Sequence, residues 1–139
     1  MQKNLDKDHV RRYLVENHGE ESWTTFQGYL YGPGMCNAKP YAGVLESLLK
    51  LRKFFKVFIV SHRTIYPYRG ERYNLHESAK KWLKRNLQID GIELVPPKNI
   101  FFMESLELKL KKIGNLGCSF FIDDLPKVIN NEAFPKIHP

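Results

Sequence analysis

Two places in this chain set polar side chains directly after an apolar run. Lys56-Val-Phe-Ile-Val60 leads into Ser61, His62, Arg63 and Thr64, and the run from Cys118 to Ile122 leads into Asp123 and Asp124. A hydroxyl with backbone N–H groups at a strand end can hold a phosphate oxygen; His62 and Arg63 stand beside it, and a cationic Arg63 adds charge. Adjacent carboxylates at another strand end suit a hard divalent cation, best Mg²⁺ keeping several of its waters. Lys109 precedes the second run, and an ammonium there neutralises a phosphoryl group or fixes a carboxylate. Hydroxyl, ammonium and carboxylates together make a phosphoryl-transfer site. Each residue also has a structural role open to it. Ser61 is of a type that makes turns, and Asp123-Asp124 of a type that caps the next helix. Lys109 sits in Lys109-Leu-Lys-Lys112, and such runs commonly form a solvated face. His62 has a structural reading of the same kind. What singles the residues out is their combination and order.

The elements that must position them are legible in the apolar pattern. Asp6 or Asp8 caps a first helix carrying Val10, Leu14 and Val15, with Gly19 as its stop. Residues 20–38 hold three glycines and a proline among Trp23, Phe26, Tyr29 and Tyr31, and read as a long aromatic loop with room for a short hairpin. Pro40 opens a second helix with Val44, Leu45, Leu48, Leu49 and Leu51 on one face. Lys56 to Val60, continuous and rich in β-branched residues, reads as a strand buried on both faces. A third helix starts near Leu75 and carries Ala79, Trp82, Leu83 and Leu87 at helical spacing. Ile92 to Val95 and Asn99 to Met103 read as extended. Ser105 caps a fourth helix with Leu106, Leu110 and Ile113, ended by Gly114. Cys118 to Ile122 is the last strand, and a short helix from Pro126 closes the domain. Strands alternating with helices point to an α/β fold with a mostly parallel sheet, in which ligands sit at the carboxyl ends of the strands.

Composition sets the outer bounds. One domain fits 139 residues, and 42% hydrophobic with 13% aromatic content argues against disorder. Lys and Arg exceed Asp and Glu by 22 − 15 = +7, which favours an anionic partner without choosing one. Two cysteines, Cys36 and Cys118, make no disulfide framework, so free thiols in a reducing, cytoplasmic setting are expected. The N-terminus lacks an apolar signal core, and no apolar stretch is long enough to span a bilayer. No membrane partner is expected. Lys80, Lys81, Lys84 and Arg85 flank Trp82, but Trp82 shares its helix's apolar spacing, which leaves the cations as a solvated face. No nucleic-acid signature is present, and no nucleic-acid partner is expected.

Val57-Phe-Ile-Val-Ser61, then Lys109, then Phe120-Phe-Ile-Asp-Asp124 resemble motifs two, three and four of the haloacid-dehalogenase-like phosphohydrolase superfamily. The resemblance covers roughly residues 40–130. Three further stretches are similar to a bacterial branch of those hydrolases: Trp23-Thr-Thr-Phe-Gln-Gly28, Ser61-His-Arg-Thr64 continuing to Leu75-His-Glu-Ser-Ala79, and Phe121-Ile-Asp-Asp-Leu-Pro126. The resemblance implies a three-layer Rossmann-like sandwich and Mg²⁺-dependent hydrolysis of a small phosphate ester. It implies that Ser61 binds the phosphoryl group, that Lys109 steadies the intermediate, and that Asp123 and Asp124 bind Mg²⁺.

The superfamily's first motif is an apolar strand ending in Asp-x-Asp, whose first Asp is the nucleophile. The match here is Asp6-Lys7-Asp8, at a permissible spacing from Ser61. Its context is wrong: Gln2, Lys3 and Asn4 cannot make a buried central strand, and the residues after Asp8 have a helical pattern. Asp6 and Asp8 therefore read as capping acids, and the single domain of residues 1–139 reads as lacking its first strand and its nucleophile. An N-terminally truncated piece, a non-catalytic relative that binds phosphate or a partner, and a strand supplied by another chain are the three explanations.

Overall fold

A computed structural model of the chain describes residues 6–136. Met1 to Leu5, where a motif-one strand would have to lie, fall outside them. The elements in order are α1 (Lys7–His18), α2 (Glu20–Tyr31), a 3₁₀ turn (Pro33–Asn37), α3 (Val44–Leu51), β1 (Ile59–His62), α4 (Leu75–Asn86), β2 (Gln88–Ile89), β3 (Ile92–Glu93), a second 3₁₀ turn (Pro97–Asn99), β4 (Ile100–Met103), α5 (Leu106–Leu116) and α6 (Pro126–Ile129). The fold is mixed α/β. The described residues sort into two compact units, one of 6–39 with 65–86, the other of 40–64 with 87–136. Among the described residues no helix is long and apolar enough to cross a membrane.

In the first unit, the Asp6 carboxylate caps α1 by accepting from the His9 N–H at 2.9 Å. Gly19 stops α1, as the sequence predicts, but residues 20–38 are not an aromatic loop. Gly19, at φ +81°, both ends α1 and starts α2, a conformation that glycine adopts without a Cβ penalty. Glu20 and Glu21 then occupy the first turn, where acids favour the positive end of the helix dipole. A glycine inside a helix normally argues against one, yet Gly28 is there because Pro67 presses on it. A Cβ at that position would lie 2.9 Å from the Pro67 ring carbons. α2 lies against α1 and α4, and Trp23, Leu75 and Ala79 are buried. The Trp82 indole N–H donates to the Ala38 carbonyl at 2.9 Å, while Lys80, Lys81, Lys84 and Arg85 are exposed.

In the second unit, α3 begins at Val44 after Gly43, not at Pro40. β1 and β4 pair in parallel, Ile59 with Ile100 through His62 with Met103. β1 is shifted toward the C-terminus of the predicted strand, so Ser61 and His62 belong to it. β2 and β3 form an antiparallel hairpin through Asp90-Gly91, both at positive φ, the chemistry of a tight primed turn. The apolar pattern marks only its second half, from Ile92, as extended. α5 passes through Gly114 and ends at Gly117 instead. The run from Cys118 to Ile122 has no regular secondary structure, bends at Ser119 and joins no strand ladder among the described residues, which corrects its reading as the last strand. The core is Leu110, Ile113 and Val128, with Val60, Leu106, Phe121 and Phe134 packed on it.

The Pro67–Gly28 contact predicts the outcome of one substitution. Alanine in place of an interior helical glycine gains about 1 kcal/mol of propensity, but here it drives a methyl into a rigid ring, which costs about 1–3 kcal/mol. Gly28→Ala should lower the urea midpoint of unfolding, and a raised midpoint would mean that the two segments do not touch as described.

Candidate functional site

The second unit places a polar group on either side of its parallel strand pair. Ser61 and His62 come from β1. Ser105 caps α5, its hydroxyl accepting from the Leu108 N–H at 3.1 Å, which sets the register of the helix. In that register Leu106, Lys109, Leu110 and Ile113 share the inward face, spaced by three and four residues. Lys109 is therefore buried, while its neighbour Lys111 is exposed. The solvated-face reading of the lysine run fails for this one residue. The signal is in the sequence: Lys109 occupies an apolar-stripe position, three after Leu106 and four before Ile113.

Lys109 Nζ meets Asp123 Oδ2 at 2.5 Å, and both side chains are only 8% exposed. The other oxygen, Oδ1, accepts from the Leu125 N–H at 3.0 Å. The Phe121 ring lies 5.7 Å from the ammonium and packs on Phe134. Burial pushes the Asp123 carboxyl up, but the hydrogen bonds from Lys109 and the Leu125 N–H, with the charge of Lys109, outweigh it and hold the group below its ordinary value. At neutral pH the Asp123 carboxyl is therefore ionised.

Ser61, His62, Lys109, Asp123 and Asp124 line one cleft of about 410 Å³. Five of the six residues singled out in the sequence thus come together. Arg63 is not among the lining residues; its backbone N–H donates to the Met103 carbonyl at 2.7 Å and continues the strand ladder. Sequence reasoning missed the Leu125 N–H, which carries no side-chain signal, and the lining side chains Ile122, Leu125 and Lys127. Asp6 and Asp8 have other surroundings. Asp6 accepts from the His9 backbone and ring nitrogens, which lower its pKa, and Asp8 is an exposed first-turn acid of α1.

Among the described residues no three His, Cys, Asp or Glu side chains gather as a metal cage would require. Mg²⁺ needs only one or two carboxylates when it keeps its waters. Asp124 is exposed at the cleft, and each Asp123 oxygen has a lone pair beyond the bond it already accepts. Asp123 and Asp124 are the carboxylates that would be available to such an ion at the cleft.

The buried pair has consequences for stability. Lys109→Met leaves a carboxylate unpaired and should cost about 3 kcal/mol in denaturant unfolding. Because the Asp123 pKa is lowered on folding, its stabilising contribution is complete above the unfolded value and is lost as pH falls through the folded one. The stability gap between the natural chain and Asp123→Asn should be flat above about pH 5 and shrink below about pH 4. A gap that grows in acid would contradict the pairing. Comparison with protein-family models, with curated proteins and with solved structures finds no match to this chain.

Proposed function

We propose that this chain is a haloacid-dehalogenase-like domain, of three-layer Rossmann-like design, that binds the phosphoryl group of a small phosphate ester together with Mg²⁺. The observation that carries this reading is the buried Lys109–Asp123 pair opening on the same cleft as Ser61 and Asp124. Ser61 offers a hydroxyl to a phosphate oxygen, and Lys109 offers the ammonium hydrogens that Asp123 leaves unused. Lys109 and Asp123 cancel in charge, and Lys127 and Asp124 cancel again. A phosphate dianion alone gains little net attraction from such a site. Asp124, with Asp123 beside it, would hold Mg²⁺, which would supply the missing positive charge. This is why the reading couples the two ligands.

Hydrolysis, the reaction of the resembled superfamily, is the second reading. Asp6, the best nucleophile candidate by spacing, has its carboxylate committed to capping α1. That commitment favours binding without turnover.

Calorimetric titration of the chain with inorganic phosphate tests the proposal. Binding is expected with Mg²⁺, weaker by about tenfold or more without it, and lost in Lys109→Met or Asp124→Asn. No binding in the presence of Mg²⁺ overturns it. p-Nitrophenyl phosphate with Mg²⁺ should show no hydrolysis. Turnover abolished by both Asp6→Asn and Asp124→Asn would replace binding by the hydrolase reading.

A further inference from the structure

At the cleft, exposed apolar side chains stand beside the polar ones: Ile122 and Leu125 line it and are 88% and 43% exposed. Phe121 packs inward on the core, while its neighbours Phe120 and Ile122 are exposed. Phe120, 64% exposed, meets Phe55 edge to face, with ring centres 5.6 Å apart. An apolar strip thus runs from the Phe55–Phe120 pair through Ile122 to the mouth of the cleft. All of these residues lie in the second unit.

Resting on the phosphate reading above, we infer that the ester this cleft takes carries an apolar organic group, aryl or alkyl, rather than a sugar. With the phosphoryl group beside Ser61 and Lys109, the rest of the ligand must leave through the mouth. There it covers Ile122 and Leu125. An apolar group gains by removing that surface from water, whereas sugar hydroxyls facing the same side chains give up hydrogen bonds to water without replacement.

The test is calorimetric titration of the full chain, with Mg²⁺, against inorganic phosphate, phenyl phosphate and glucose 6-phosphate. Phenyl phosphate should bind about tenfold tighter than glucose 6-phosphate. In Ile122→Ser that ratio should fall close to one. Ile122 is so exposed that the substitution does not threaten folding. Equal affinities in the natural chain, or a preference that survives Ile122→Ser, overturn the inference while leaving phosphate binding intact. Failure of all three probes to bind overturns both it and the phosphate reading.

Discussion

The Lys109–Asp123 ion pair is the contact on which the cleft depends. Residues 118–125 join no strand ladder, so the chain there lacks the usual means of fixing a backbone beside a sheet. Its anchors are the Phe121 ring in the core, the ammonium of Lys109 on Asp123 Oδ2, and the turn closed by the Leu125 N–H on Oδ1. Removing two charges from water costs several kcal/mol per ion, and a hydrophobic pair of equal volume would stabilise the chain at least as well. Its advantage is geometric: it fixes the position of the chain at Asp123, and so of Asp124 beside it.

The same pair explains why α5 is built as it is. A lysine on the apolar stripe is tolerated only where a carboxylate reaches it. The Ser105 cap sets the helix phase that points Lys109 at Asp123. Shifting the helix by one residue would turn Lys109 by about 100° and separate the charges. The parallel pairing of β1 with β4 then brings Ser61 to the same cleft, since the register of Ile59 with Ile100 fixes how far β1 extends.

Much of this is legible in residue types. Ser105 as a cap, Gly19 as a stop, the apolar runs of β1 and β4, and the helical spacing of α4 all follow from local chemistry. So do most of the polar residues that meet at the cleft, though not Lys127, while Arg63, singled out with them, lies outside it. α2 is hidden because glycine at positions 28 and 32 and the neighbouring aromatics look like loop composition. The reason for Gly28 is the Pro67 ring, thirty-nine residues away in sequence, a contact no local pattern carries. The run from Cys118 to Ile122 misleads in the opposite direction. Its composition is that of a strand, but a strand is defined by a hydrogen-bonded partner, and composition does not report partners. Lys109 lies between these cases: its burial is readable from its phase against Leu106 and Ile113, once the cluster of like charges is not taken as a unit.

Three aspartates show how little the residue type alone decides. Asp6 is exposed and spends its carboxylate on the first turn of α1, so its lowered pKa reports capping. Asp123 has a lowered pKa as well, but through a buried ammonium and against the cost of its own desolvation. Asp124, next in the chain, is exposed on the same cleft. A carboxylate neutralised by a lysine is a poor sole ligand for a cation, and an exposed one with no second charge beside it is a weak one. Side by side, they divide the work. Asp123 holds the ammonium and the backbone in place, and that fixed backbone sets where Asp124 stands on the cleft. Adjacency in sequence matters here because one residue's rigidity becomes the other's position.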